Sequence, residues 1–405
     1  MMHILALWLA GVSLATPLPG ESQSLLQYAA LEEHLKLVPQ GFTLDLDAKR
    51  LVQFDPYAEP IWITEREKII AKANSIKFFD VTDSPDYAPE SSKDRGFAAN
   101  YDGSLSASSQ VVNVIKKLST KGPKENLVAF TSFRTRCDSP PHLHIIDLLR
   151  AARANFGYWQ RSTEITAKTA SAAVRSRIAV SEFRHSWGQN TIIVKLRGTS
   201  TSEDTGSVII SAHQDSTNLF PFLPAPGADD DGSGTVTILE VYRALLESNY
   251  TPVHDVEWHF YSAEEGGLLG SQAIVKDYVA RDVQVKAQLQ FDMTAWVKEG
   301  SKESVGVITD FVDPTLTDII KKLVDAYLDI PWVETKCGYA CSDHASWDKA
   351  GYPAAFSIES AFEDSNQNIH SGNDRLDISP EFSFEHLLEF SKLGVAYVVE
   401  LAGWA

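Results

Sequence analysis

The amino-acid sequence predicts an α/β fold, a layered domain built on a mainly parallel sheet. Three observations carry that expectation. From about residue 100 onward, short apolar runs alternate with longer stretches of helical periodicity. The strand-like runs are rich in β-branched and aromatic residues, and several end in polar clusters, at the edge where open α/β sheets bind ligands. The chain has 405 residues, 44% of them apolar, which suffices for one large core and a smaller unit.

The elements follow in order. Leu25, Leu26, Leu31, Leu35 and Leu37 lie at amphipathic spacing and predict a helix over 21–38. A second helix is expected over 63–79, with Thr64 as its cap and Glu67 three residues on. Residues 82–96, dense in Pro, Ser and charge, read as an exposed linker. Beyond it, helices are expected at 108–118, 143–154, 232–246, 268–280, 313–328 and 383–401. Strands are expected at 190–196, 206–212, 255–262, 285–291, 305–309 and 354–358.

Lys and Arg total 36 against 54 Asp and Glu, a formal charge of −18. That acidity argues against nucleic acid and against anionic membrane surfaces, both of which reward clustered Lys and Arg. Residues 1–15 form an apolar run ending in Ser13 and Ala15, then Thr16-Pro17. The run is shorter than the ~20 residues a bilayer span needs and reads as a secretory signal cut near Ala15. In an exported chain, Cys337-Gly-Tyr-Ala-Cys341 can close a small disulfide loop. Cys137 is then left over, either buried or available to another chain. A small helical segment joined to a large domain by an exposed linker reads as a propeptide, an N-terminal lobe that stays being the alternative.

Polar residues gather at the strand ends. Ile210-Ser-Ala-His-Gln-Asp215 closes one strand, Asp229-Asp-Asp231 precedes a helix, Glu264-Glu265 closes another strand and Phe291-Asp-Met293 a fourth. Asn368-Ile-His-Ser-Gly-Asn-Asp374 lies in a late polar loop. Carboxylates crowded in low dielectric repel, so their convergence requires positive charge between them. Histidine with carboxylates is the donor set of borderline cations such as Zn²⁺. There are more candidates than one ion uses, which favours two ions sharing a carboxylate. Adjacent glutamates also suit a division of labour, one binding metal and its neighbour taking a proton from water. Composition and spacing reach a metal hydrolase and no further.

The segments Ser211-Ala-His-Gln-Asp-Ser216, Ala225-Pro-Gly-Ala-Asp-Asp-Asp-Gly-Ser-Gly234, Ser262-Ala-Glu-Glu-Gly266, Leu289-Gln-Phe-Asp-Met-Thr294, Cys337-Gly-Tyr-Ala-Cys-Ser-Asp-His344 and Ile369-His370 resemble the M28 family of co-catalytic dizinc exopeptidases. Within that family the chain closely resembles the secreted fungal leucine aminopeptidases and their bacterial relatives, from about residue 180 onward. The resemblance implies a three-layer helix/mixed sheet/helix domain of the zinc-aminopeptidase type. It implies two zinc ions, with His213 and Asp292 on one, Glu265 and His370 on the other, and Asp230 bridging. It makes Glu264 the general base, has Asp215 orient His213, and has Tyr339 stabilise the oxyanion from a loop held by a Cys337–Cys341 disulfide. Met293, Ile308, Phe356, Ile358, Phe362 and Ile369 would wall the pocket for the first side chain, although ordinary core packing explains Ile308, Phe356 and Ile358 equally well.

The implied protein is a secreted monomer acting on peptides with a free amino terminus. It comprises a signal (1–15), a propeptide (16–79) that inhibits it, and a catalytic domain (80–405). Arg50-Leu-Val-Gln-Phe-Asp55 and Lys77-Phe-Phe-Asp-Val-Thr-Asp83 resemble the family's propeptide. The chain departs from the family after Arg136, where Cys137-Asp-Ser-Pro-Pro-His-Leu-His144 replaces an aromatic-rich turn, and the match resumes near Ser181. The rival readings are a carboxypeptidase, a one-zinc cyclising transferase, and an inactive protein that keeps its metals.

Overall fold

The computed structural model describes residues 43–54, 58–74, 76, 78–85, 104–133, 135, 136, 143, 144, 146–201, 206–220 and 223–405. The signal segment, the 21–38 helix, most of the linker and Cys137 lie outside the described residues. In chain order come β1 (Thr43–Leu44), β2 (Lys49–Gln53), β3 (Ile61–Thr64), α1 (Glu65–Ala73), β4 (Phe79–Asp80), α2 (Ser108–Ile115), α3 (Lys121–Phe130), β5 (Leu143–His144), α4 (Ile146–Thr169) and α5 (Ala172–Arg175). There follow β6 (Ile178–Phe183), β7 (Thr191–Leu196), β8 (Ser207–His213), α6 (Gly232–Glu247), β9 (Val256–Tyr261), α7 (Leu269–Ala280) and β10 (Val285–Phe291). Last are β11 (Val305–Ile308), α8 (Pro314–Tyr327), β12 (Trp332–Thr335), α9 (His344–Lys349), β13 (Ala354–Ile358) and α10 (Phe384–Ala402).

Eight strands form the main sheet in the order β12-β11-β13-β10-β8-β9-β7-β6. The central four, β13, β10, β8 and β9, are mutually parallel. β7 and β6 are antiparallel additions on one side, and β11 enters antiparallel to β13 on the other. The strands read as predicted because central parallel strands are covered on both faces, and every residue of β8, Ser-Val-Ile-Ile-Ser-Ala-His, is buried. Val208, Ile210 and Ala212 point into the larger core with Trp258, Phe260 and Leu289, against α6 and α10. Ile209 points the other way, with Ile274, Trp347 and Tyr352, toward α7 and α9. That is the expected three-layer α/β architecture.

From β8 the chain passes through α6 to β9 on one side, then through α7 to β10 on the other side of β8. The switch point of the sheet therefore lies at the carboxyl ends of β8 and β10, at His213 and just before Asp292. Helix α8 illustrates how the outer layer is held. Asp313 caps it by accepting from the Leu316 amide at 2.8 Å, and Pro314 sits where no N–H is required. Leu316, Ile319, Ile320, Leu323 and Val324 are buried along one face, roughly 1.5–3 kcal/mol each.

A second, three-stranded sheet, β3-β2-β4, carries α1. The helix predicted over 63–79 is shorter than expected. Residues 61–64 pair as a strand and 79–80 as another, and only Glu65–Ala73 is helical. The capping box is present: the Glu67 amide donates to Thr64 Oγ1 at 3.2 Å, and the Thr64 amide donates to Glu67 Oε2 at 2.7 Å. Residues 143–144 are extended, so the helix expected from 143 begins at Ile146 and runs on to Thr169. Trp159 of that helix is fully buried and stacks against Phe260, so this atypical stretch is part of the main core.

The turn between β9 and α7 has no slack. A Cβ on Gly270 would stand 2.1 Å from the Ser262 carbonyl oxygen. Gly270→Ala is expected to cost about 1–3 kcal/mol through forced displacement of backbone, read as a lower melting temperature. An unchanged melting temperature would show that the turn can yield.

Candidate metal centre

Three carboxyl strand ends and two loops deliver the predicted polar residues to one place. His213 is the last residue of β8, Asp292 follows β10, and Glu264 and Glu265 follow β9 in the turn to α7. Asp230 lies in the loop before α6, and His370 in the long loop before α10. His213 Nε2 is 3.2 Å from Asp230 Oδ1 and 3.5 Å from Asp292 Oδ1. His370 Nε2 is 3.0 Å from Asp230 Oδ2 and 3.1 Å from Glu265 Oε2. The two oxygens of one aspartate thus face two histidines, each histidine with its own further carboxylate. Glu264 Oε2 stands 3.8 Å from His213 Nε2.

These donors fit a pair of cations. His213 Nε2 and Asp292 Oδ1 are buried and have no hydrogen-bond partner, an arrangement that costs free energy unless a further group completes it. The ligand atoms of His213, Asp231 and Asp292, and those of Asp230, Glu265 and His370, fall into two groups within 4.8 Å. Asp231 is near enough to the first group but is already committed. Its Oδ2 accepts from the His213 amide at 3.0 Å, and its Oδ1 accepts from the Gly234 and Met293 amides at 2.9 and 3.2 Å. Asp230 Oδ1, aimed at His213 Nε2, is the better-placed donor.

The electrostatics reflect crowded charge. Burial opposes ionisation throughout. Even so, Asp292 and Glu264, with the Asp215 and Asp230 carboxylates close by, hold His213 well above the ordinary histidine range. His370 is raised to about 9 against its own burial, chiefly by Glu265. Burial also pushes Glu264 well above the usual carboxylate range; His213 opposes this, while Glu265, Asp343 and Asp292 add to it. Glu265 is brought down to about 2 despite its burial and Asp230, through His370 and Lys72.

Asp215 touches both the histidine and the glutamate turn. His213 Nδ1 lies 3.1 Å from the Asp215 main-chain carbonyl and 3.5 Å from its carboxylate. The carboxylate accepts the Glu264 and Glu265 amides at 3.1 and 3.0 Å, fixing the turn that presents both glutamates. Two further supports escaped sequence reasoning. Asp374 accepts the amides of Asp229 and Asp230, each at 3.0 Å. The buried Arg136 donates to the carbonyls of Gln214, Pro226 and Asp230. Asp374 was visible as an acid near His370, but Arg136, far away in sequence, carried no local signal. Ala263, Leu268, Met293 and His370, all at this site, have φ between 54° and 62°, a conformation costing on the order of 1 kcal/mol or more for each non-glycine residue.

A cavity of about 450 Å³ opens beside the cluster. Met293, Phe356, Ile358, Phe362 and Ile369 line it, with Tyr339 and Cys341. Ile308 belongs to the same apolar group but is fully buried and does not reach the cavity. Cys337 and Cys341 form a disulfide, and Asp310 pins their loop by accepting the Cys337 and Gly338 amides at 3.2 and 2.7 Å. Burial, with the surrounding carboxylates, raises the Tyr339 hydroxyl far above its usual value, so it stays a proton donor.

The profile of peptidase family M28 matches residues 191–390. Leucine aminopeptidase 1 of Coccidioides posadasii is 42% identical over 378 residues, covering 88% of this chain and 90% of that protein. Leucine aminopeptidase 1 of Grosmannia clavigera is 41% identical over 402 residues, covering 96% of this chain and 93% of that one. The crystal structure of the Legionella pneumophila LapA aminopeptidase superposes with a TM-score of 0.74 at 26% identity, covering 88% of this chain and 99% of that one. A paired metal site at the switch point of such a sheet, in a chain this similar to those proteins, has one classification: the chain belongs to peptidase family M28.

Proposed function

We propose that the protein is a secreted zinc aminopeptidase that releases Leu and other bulky apolar residues from the free amino terminus of peptides. One observation carries the reading: the Asp230 carboxylate divided between His213 and His370, with Glu264 beside it and an apolar cavity adjoining. His213 and Asp292 would hold one zinc, Glu265 and His370 the other, and Asp230 both. When bound, the two ions supply Lewis-acid chemistry, polarising the scissile carbonyl and acidifying water.

The side chains do the rest. Glu264 takes a proton from the attacking water and returns it to the departing amine. Tyr339 donates its hydroxyl to the carbonyl oxygen as negative charge develops there. Met293, Phe356, Ile358, Phe362 and Ile369 receive the first side chain. One methylene changes affinity by only ~1–3 kcal/mol, so the result is a preference for Leu and not exclusivity. Among the described residues, the cavity lining contains no lysine or arginine except Lys72 of the small N-terminal unit. Such an acidic, apolar cleft suits a substrate's ammonium end and offers no clamp to a terminal carboxylate, which argues against a carboxypeptidase.

We read residues 1–15 as the signal, 16–79 as a propeptide and 80–405 as the catalytic domain. Lys72, Ile76 and Phe78 line the cavity, so the small unit must leave before a peptide enters. Its hydrogen bonding runs past residue 79: the Val81 amide donates to the Leu51 carbonyl and the Leu51 amide to Thr82 Oγ1, both at 2.9 Å. Among the described residues, no helix is long and apolar enough to cross a membrane. Every ligand comes from one chain, so a monomer suffices. The processed, zinc-loaded protein is expected to hydrolyse leucine amides and to leave N-acetyl-leucine amides intact, with activity lost to a chelator and restored by zinc. Equal cleavage of both substrates would refute the aminopeptidase reading.

A further inference from the structure

Among its described residues, the small N-terminal unit places a cation on one half of the metal centre and none on the other. Helix α1 is rigidly mounted. Arg50 Nε bonds Glu65 Oε2 at 2.8 Å and Lys68 Nζ bonds Asp80 Oδ2 at 2.6 Å, all four side chains buried. The last turn of α1 points Lys72 at the turn after β9. Lys72 Nζ lies 2.9 Å from Glu265 Oε2 and 2.9 Å from the Glu265 carbonyl oxygen. That same Oε2 is the oxygen 3.1 Å from His370 Nε2. The pair is shielded from water, with the lysine side chain 19% exposed and the glutamate 4%. Glu265 has little left to give, because its Oε1 accepts the Thr217 amide at 3.2 Å.

We propose that Lys72 and the ion of the Asp230–Glu265–His370 group are mutually exclusive occupants of Glu265, so that the seated N-terminal unit and that ion weaken each other's binding. This rests on the dizinc reading given above and adds a linkage to it. An ammonium at 2.9 Å already meets the charge demand of Glu265, and a dication arriving on the same oxygen meets a like charge at close range in low dielectric. Among the described residues, no lysine or arginine stands in a salt bridge with His213, Asp230 or Asp292, so no cationic side chain competes for the ligand atoms of the His213 half. The intact chain therefore holds one ion tightly and the second weakly. Linkage makes the effect reciprocal: the second ion loosens α1 by the same factor by which α1 weakens the ion. Arrival of the second ion prepares the unit for removal.

The test uses the full chain, metal-stripped, as wild type, Lys72→Met and Lys72→Arg. Zinc titration against a competing chelator yields two dissociation constants for each. In Lys72→Met the weaker constant is expected to tighten at least about tenfold with the tighter one unchanged, while Lys72→Arg stays within about threefold of wild type. Hydrogen exchange of Glu65–Ala73 supplies a second readout. Saturating zinc should speed it in the wild type and leave it unchanged in Lys72→Met, which also distinguishes lost repulsion from a unit that has simply detached. Equal weaker constants in wild type and Lys72→Met, or zinc-independent exchange in the wild type, would overturn the proposal. Cleavage of leucine amides by the processed protein would still stand in that event, so the two readings fail separately.

Discussion

Replacing Glu264 with glutamine is expected to lower turnover by about 10²–10⁴-fold while both zinc ions stay bound. The side chain stands 3.8 Å from His213 Nε2, farther than Asp230 or Asp292, so it borders the ion pair without completing either half. Its main chain is fixed through the Asp215 carboxylate, which a side-chain substitution leaves in place. Glutamine keeps the shape and a carbonyl acceptor and loses the ability to carry a proton. Metal content by elemental analysis and turnover on a leucine amide decide the matter together. Loss of zinc from this variant would transfer the base role to another carboxylate.

Asp230→Ala is expected to have the opposite signature, with zinc lost first and activity lost as a result. Among the described residues, no other side chain has one oxygen 3.2 Å from His213 Nε2 and another 3.0 Å from His370 Nε2. On the proposed ligand assignment, its removal would leave His213 with Asp292 and His370 with Glu265, two protein donors per ion where zinc sites use three or four. Affinity for zinc should fall by more than about 100-fold, beyond the 10–100-fold typical of removing a group that merely supports a ligand. The fold should survive, since the Asp230 amide and carbonyl are held by Asp374 and Arg136 independently of its side chain. Two tightly bound ions in this variant would remove Asp230 from the centre of the mechanism.

The contrast between what the sequence revealed and what it concealed is physical. The strands from β7 to β10 were legible because burial on both faces demands unbroken apolar runs, and the ligands punctuate their ends. The capping box at Thr64 was legible because it is local, yet the helix it opens was drawn too long, through residues 74–79. Helix α3 was missed because Gly122 and Pro123 look like breakers, although proline is tolerated in a first turn whose amides have no partner inside the helix. Strand β12 is a short, partly exposed edge with little pattern to read. The acids and histidines of the site announced themselves by type. The supporting roles of Asp374, Arg136 and Lys72 did not, because each acts on main chain or on a carboxylate more than seventy positions away, and no spacing rule reaches that far.

The parallel ladder of β13, β10, β8 and β9 has a kinetic corollary. His213, Glu265, Asp292 and His370 each come from a different crossover, so no single strand–helix unit owns a complete half of the site. A polypeptide ending before His370 can form most of the sheet and still have only the half served by His213. Capture of the second ion is thereby deferred until the last long loop has closed, and no local motif alone offers a dication a full set of donors.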